Sequence, residues 1–77
     1  MLKSNFAENL KRLRLARGIG QIELAKLIGV SKGIISLWEN GLREPTMTSL
    51  IALARFFGVS IDELVGICYT KEDDLTI

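Results

Sequence analysis

The sequence of 77 residues predicts an all-α fold, a compact five-helix bundle with a helix-turn-helix at helices 2 and 3. Apolar residues recur at intervals of three and four along five separate segments, which is the period of an amphipathic helix. A glycine stands at the end of each segment, where it can adopt the left-handed backbone that stops a helix. No segment alternates apolar and polar residues for long, so strands are not expected.

The first helix is expected over residues 5–17. Asn5 is a favourable N-cap, and Glu8 stands three positions later, which is the spacing of a capping box. Gly18 then ends the helix. Its inward face is a stripe of apolar residues at helical spacing: Phe6, Leu10 and Leu13.

The second and third helices are predicted at residues 21–28 and 32–39, with a three-residue turn between them. Gly29 ends the second helix, and the hydroxyl of Ser31 can cap the third. Their inward residues are Leu24, Ala25 and Ile28 in one helix and Ile35 and Trp38 in the other. Two helices joined by so short a turn are typical of a unit that places its second helix in the major groove of DNA.

The fourth and fifth helices are predicted at residues 46–57 and 60–65. Leu50, Leu53, Ala54 and Phe57 keep the helical period in the fourth, and Ser60 with Glu63 forms a capping box in the fifth. The remainder is acidic and poorly patterned. We therefore divide the chain into a DNA-binding domain of residues 1–66 and a C-terminal tail of residues 67–77, either flexible or part of a dimer contact.

Composition argues against several classes of function. One cysteine, Cys68, excludes an internal disulfide, and without histidine neither a structural zinc site nor histidine-based catalysis is expected. The acidic run at residues 72–74 is interpreted as solvated. No run of 18 apolar residues and no secretion signal is found, so a cytoplasmic protein is expected. We expect no enzyme, metal, cofactor, small-molecule ligand or membrane contact.

The net charge of +1 hides an uneven distribution. Residues 1–44 hold eight basic side chains against four acidic ones, whereas residues 45–77 hold two against five. A basic front and an acidic back would orient the molecule on a polyanion. Ordinary solvated surface charge is the alternative interpretation of the same counts.

The ordered residues around the predicted turn resemble the lambda-repressor-like, or Cro/Xre-type, helix-turn-helix family. The resemblance runs from about Phe6 to Leu64. The matching residues are Leu13-Arg14, Arg17-Gly18, Gln21, Glu23-Leu24-Ala25, Gly29-Val30-Ser31, Ile35-Ser36, Trp38-Glu39-Asn40-Gly41, Pro45, Leu50, Phe57-Gly58-Val59-Ser60 and Asp62-Glu63-Leu64. It implies a bacterial or phage transcriptional regulator that binds an inverted repeat in double-stranded DNA as a homodimer.

The resemblance also implies that the start of the third helix faces the bases, through Lys32, Gly33, Ile34, Ser36 and Leu37. Lys32 could donate to guanine or meet a phosphate, whereas Ile34 and Leu37 offer methyl groups to thymine. Gly33 costs roughly 1 kcal/mol of helix propensity relative to alanine and would allow close backbone approach. Many relatives carry polar residues here, so this chain is expected to depend more on methyl contacts, water and DNA shape. For Ile34 and Leu37, packing against neighbouring helices is the alternative.

Five more residues are expected near phosphates: Gln21, Asn40, Arg43, Arg17 and Lys26. For each of them, exposure to solvent without contact is the alternative. The family also implies a partly buried ion pair between Arg14 and Glu39, to which we assign a structural role because it would fix the third helix relative to the first.

The dimer contact and the partner class stay open. Spare apolar groups occur in the fifth helix and tail (Val65, Ile67, Leu75 and Ile77) and elsewhere at Leu42, Met47 and Phe56. The alternative function is a protein-interaction module or antitoxin, which the apolar recognition face and low net charge suit. DNA affinity should fall steeply with salt, and affinity for a protein partner far less.

Overall fold

The computed structural model describes residues 2–66 and 68–69, and it confirms the all-α bundle. Five helices follow in order: α1 (Phe6–Ala16), α2 (Gln21–Ile28), α3 (Lys32–Glu39), α4 (Met47–Phe57) and α5 (Ile61–Val65). Among these helices, none has the length and apolar character needed to cross a membrane. The predicted bounds of α2 and α3 are confirmed to the residue, which fixes the helix-turn-helix.

The expectation that no strands form was wrong in one place. Strand β1 (Leu2–Lys3) pairs antiparallel with strand β2 (Cys68–Tyr69), with Leu2 opposite Tyr69 and Lys3 opposite Cys68. Two-residue strands leave no alternating pattern for sequence reasoning to detect. Apart from β2, the predicted tail of residues 67–77, including the acidic run at residues 72–74, lies outside the described residues.

Serine and threonine caps set the starts of three helices. The side chains of Ser31, Thr46 and Ser60 each accept a hydrogen bond from the backbone N–H three residues on, at 3.2, 3.2 and 2.9 Å. Such a bond satisfies one of the backbone donors that a helix leaves free at its start. Because Thr46 and Ser60 act as caps, α4 and α5 begin one residue later than predicted.

The start of α1 differs from the predicted capping box. The side chain of Asn5 makes no capping hydrogen bond. Instead, Ser4 Oγ accepts from the N–H of Phe6 at 3.2 Å and donates to the carbonyl oxygen of Val65 at 3.1 Å. The N–H of Asn5 donates to the same carbonyl at 2.7 Å. The start of α1 is therefore tied to the end of α5, 60 residues away in the chain (Asn5 to Val65).

All five helices contribute to a single apolar core. Its buried members are Phe6, Leu10, Leu24, Ala25, Ile35, Trp38, Leu53, Ala54, Phe57 and Leu64. The rings of Phe6 and Trp38 pack edge to face with centroids 6.1 Å apart, which joins α1 to α3. The predicted inward stripes are confirmed, with Leu13, Ile28 and Leu50 only partly buried at the edge of the core.

Candidate nucleic-acid interface

The third helix has a buried face and an open face. Ile35 and Trp38 are 0% and 3% exposed and anchor the helix in the core. On the other side Lys32 and Gly33 are exposed, and Ser36 and Leu37 are half-buried. These four residues, Lys32, Gly33, Ser36 and Leu37, form what we call the open face of α3. Burial of the opposite side leaves this face available to a ligand.

Ile34 belongs only to the margin of that face. It is half-buried and packs against the core. Packing against neighbouring helices, the alternative interpretation, therefore fits Ile34. Leu37 is not one of the side chains that pack against the core.

The turn between α2 and α3 is set by its first two residues. Gly29 has φ +85°, a left-handed conformation that favours glycine. The N–H groups of Gly29 and Val30 both donate to the carbonyl oxygen of Ala25, at 2.8 and 3.0 Å. Val30 is partly buried against the core and pins the corner. Backbone hydrogen bonds and the burial of Val30 thus set the course of the turn between the two helices.

A polar clamp holds the C-terminal end of α3. Arg14 Nε donates to Glu39 Oε2 at 2.7 Å and Arg14 Nη2 donates to Glu39 Oε1 at 3.0 Å, a bidentate pair. Arg14 Nη1 donates to the carbonyl oxygen of Ile19 at 2.9 Å. The two charged side chains are 10% and 3% exposed. The hydrogen bonds to Glu39, opposed by burial and aided by the carboxylate charge, raise the pKa of Arg14, so its guanidinium stays protonated.

Gln21 joins the same clamp, which sequence reasoning missed. Its Nε2 donates to Glu39 Oε1 at 3.1 Å, so α1, α2 and α3 meet at one carboxylate. Residues 18 positions apart in the chain carry no local signal of such contact. The amide nitrogen has two N–H groups, and the one not given to Glu39 is the donor that could reach a phosphate.

Arg17 is directed elsewhere. Its guanidinium lies over the rings of Phe56 and Phe57, 5.0 and 5.6 Å from their centroids, and Nη2 donates to the carbonyl oxygen of Phe56 at 3.1 Å. The side chain therefore joins the end of α1 to the end of α4 rather than extending toward the open face. Phe56, expected to be exposed, is half-buried beneath it.

The other predicted phosphate contacts lie at the surface. Lys26 on α2 and Arg43 in the loop after α3 are exposed. Asn40, also exposed, donates from Nδ2 to Ser36 Oγ at 3.4 Å, which orients a polar side chain at the end of the open face. No cluster that could hold a metal ion occurs among the described residues.

A family model for helix-turn-helix domains (HTH_3) matches residues 10–64. The chain belongs to this helix-turn-helix family. The resemblance inferred from Leu13-Arg14 through Asp62-Glu63-Leu64 is therefore confirmed, and it extends over the whole of the clamp and the open face.

Most of the curated relatives are transcriptional regulators, which agrees with the expectation that this domain is not an enzyme. The antitoxin PezA of Streptococcus pneumoniae is 30% identical over 59 residues, which are 77% of this chain and 37% of the antitoxin. The transcriptional activator BcrR of Enterococcus faecalis is 43% identical over 61 residues, which are 79% of this chain and 30% of that protein. The cryptic phage CTXphi transcriptional repressor RstR of Vibrio cholerae is 36% identical over 69 residues, 90% of this chain and 62% of the repressor. This helix-turn-helix chain thus spans less than two thirds of each of these relatives.

Among solved structures, the P22 c2 repressor in complex with a synthetic operator superposes with a TM-score of 0.75. The two sequences are 35% identical, and the match covers 78% of this chain and 91% of the repressor chain. The helix-turn-helix chain therefore shares its fold with a repressor that was crystallised on operator DNA.

Proposed function

We propose that this chain is a sequence-specific DNA-binding transcriptional regulator that inserts α3 into the major groove. The observation that carries the proposal is an exposed face at the start of α3, on a helix whose last residue, Glu39, is held by hydrogen bonds from Arg14 and Gln21. A helix that enters a groove must keep its register while its outer side chains contact base edges. The likeness to a repressor crystallised with its operator supports the same conclusion.

Base contacts are assigned to the open face of α3. Lys32 would donate to guanine O6 or N7, and Ser36 would donate or accept. Leu37, with Ile34 at the margin, would contact thymine methyl groups. Since only Lys32 is charged, specificity would depend largely on apolar contacts and on DNA shape.

Phosphate contacts are assigned to the surfaces that flank α3. Lys26, Asn40 and Arg43 are exposed, and Gln21 begins α2, whose free backbone N–H groups favour an anion. Arg17 is withdrawn from this set, because its guanidinium is held on Phe56.

The regulator would act in the cytoplasm as a homodimer on an inverted repeat. One helix-turn-helix contacts few base pairs, and two related by a twofold axis read half-sites about 34 Å apart. Leu42 and Met47 are 73% and 64% exposed, the highest fractions among the large apolar side chains of the described residues, and we assign the contact to them. Val65 is half-buried, and Ile67, Leu75 and Ile77 lie outside the described residues.

Selection of bound duplexes from a random pool at two salt concentrations tests this function. An enriched inverted repeat, with affinity that falls steeply as salt rises, is the expected result. Equal binding to every duplex, with no enriched site, would refute the regulator.

A protein partner is the second candidate, because α2 exposes Ile22 and Leu27, at 60% and 55%. Apolar groups of this size on one short helix suit a protein surface. Ile22→Ser with Leu27→Ser would then abolish partner binding and leave DNA affinity intact. Partner affinity that changes little between the two salt concentrations would favour this candidate.

A further inference from the structure

Gly33 differs in position from the five glycines that follow the ends of helices. Five glycines have positive φ values of 51° to 85° and stop helices: Gly18, Gly29, Gly41, Gly58 and Gly66. Gly33 is the second residue of α3 and does not have a positive φ. The backbone conformation at residue 33 does not require glycine, and alanine would favour the helix more.

Packing inside the chain does not require a glycine either. A Cβ added at Gly33 would meet only Ser31 Oγ, at 3.8 Å, which is an ordinary van der Waals contact. By contrast, a Cβ at Gly66 would collide with the side-chain amide of Asn9. Alanine therefore fits at position 33 of the free protein, and it would favour the helix.

We propose that Gly33 is a specificity-determining residue because the bound duplex occupies the volume that a Cβ would fill. This inference rests on the proposed function and assigns one contact within it. Gly33 is exposed and lies one helical turn before Leu37, on the same face of α3. The missing side chain leaves the backbone of Gly33 open, because Ser31 Oγ is the one atom within 4 Å of the position that a Cβ would take.

The 5-methyl group of a thymine is the occupant that we assign to the open volume beside Gly33. It is the apolar group that base edges present in the major groove, and it projects toward the protein. The Cβ of an alanine at residue 33 would displace a thymine methyl group that contacts the Cα of Gly33. The methyl group on the DNA and the missing methyl group on the protein are therefore complementary.

Adding a methyl group to the protein and removing one from the DNA tests the inference. Wild-type protein and Gly33→Ala are titrated with the selected operator and with duplexes in which each thymine is replaced in turn by uracil, which lacks the methyl. We expect Gly33→Ala to bind the thymine operator about tenfold or more weakly, the range of a lost base contact. At one position, uracil should restore the variant to within about twofold of the wild type on that duplex and should weaken the wild type.

The stability of the same variant separates recognition from folding. Gly33→Ala should melt roughly 4 °C higher than the wild type, so a loss of affinity cannot come from unfolding. Thr48→Ala on the exposed side of α4 is the matched control, and it should bind all duplexes as the wild type does.

Two results would overturn the assignment. Equal affinity of Gly33→Ala and wild type for the operator would show that the duplex does not reach Gly33. A loss that no uracil relieves would show that the occupant is not a thymine methyl. In both cases the enriched operator would still stand, so the proposed function would survive, whereas a selection without any enriched site would overturn both.

Discussion

The two halves of the bundle are held together by different interactions. The buried residues of α4 and α5 are all apolar: Leu53, Ala54, Phe57 and Leu64. The half that carries α3 has apolar contacts as well, but it also buries the charged side chains of Arg14 and Glu39, which are 10% and 3% exposed. Arg14 reaches Glu39 on α3 with two hydrogen bonds.

This difference separates stability from orientation. Apolar side chains can repack around a change of shape and usually keep most of the stability. A bidentate pair with a third donor from Gln21 permits one arrangement of three helices. A buried ion pair adds little net stability, and we infer that its use here is to hold the open face of α3 in one orientation. The region that would touch DNA is thus the one that contains the buried charged pair.

The largest effect is expected from Glu39→Ala. It leaves the buried guanidinium of Arg14 without its carboxylate, and breaking such a pair costs about 3–5 kcal/mol of unfolding free energy. Urea unfolding followed by circular dichroism measures the loss. Arg14→Met with Glu39→Ala should recover part of it, because no charge then remains buried. Additive losses in the double variant would contradict the clamp.

Leu53→Ala tests the apolar half in the same terms. Leu53 is fully buried, and its truncation should cost about 2–5 kcal/mol in the same urea experiment. Operator affinity per folded molecule should stay within about twofold of the wild type, whereas the Arg14→Met, Glu39→Ala variant should lose affinity even when folded. Equal losses of affinity in the two variants would remove the distinction between the two halves.

Arg43→Ala tests the exposed surface next to α3. The exposed guanidinium would neutralise one phosphate, so its loss should weaken binding to all duplexes alike. The slope of log affinity against log salt should become shallower by about 0.9. Arg55→Ala, which removes an exposed charge from α4, serves as the control and should leave the slope unchanged. An equal change in both variants would point to net charge alone.

The smallest effect is expected from Arg17→Ala. Loss of the contact with Phe56 should lower the unfolding free energy by about 0.5–1 kcal/mol, the range for exposed cation–π pairs. The salt slope of operator binding should not change, because the side chain is engaged on α4. A shallower slope would instead show that Arg17 contacts a phosphate.

Local signals predicted most of the fold. The Gly29 stop and the Ser31 cap fix the turn, since each acts on backbone groups within four residues. Asn5 is the N-cap residue of α1 as predicted, but its capping hydrogen bond was mispredicted, because Ser4 Oγ accepts from the N–H of Phe6 and the Asn5 side chain makes no capping bond. The β1–β2 pair was missed because contacts between residues 65 or more apart follow from the completed fold.

In the candidate site, too, sequence order predicted which residues are present but not how those of distant helices meet. The type and order of residues predict which of them stand at the start of α3, and the resemblance supplied the pairing of Arg14 with Glu39. Neither predicts that Gln21 turns to Glu39 or that Arg17 lies on Phe56, because each contact depends on how two distant helices meet. Half-burial of Ile34 and Leu37 likewise depends on neighbours that no helical period specifies.

The pairing of Leu2 with Tyr69 brings the two ends of the bundle together. Paired strand residues have Cα atoms about 5 Å apart, so a linker of a few residues could join these positions covalently. New termini opened in the exposed segment of residues 42–44 would then give a circular permutant in which α4 and α5 precede α1. Such a chain would keep the neighbours of α3, although the order of the helices along the polypeptide would have changed.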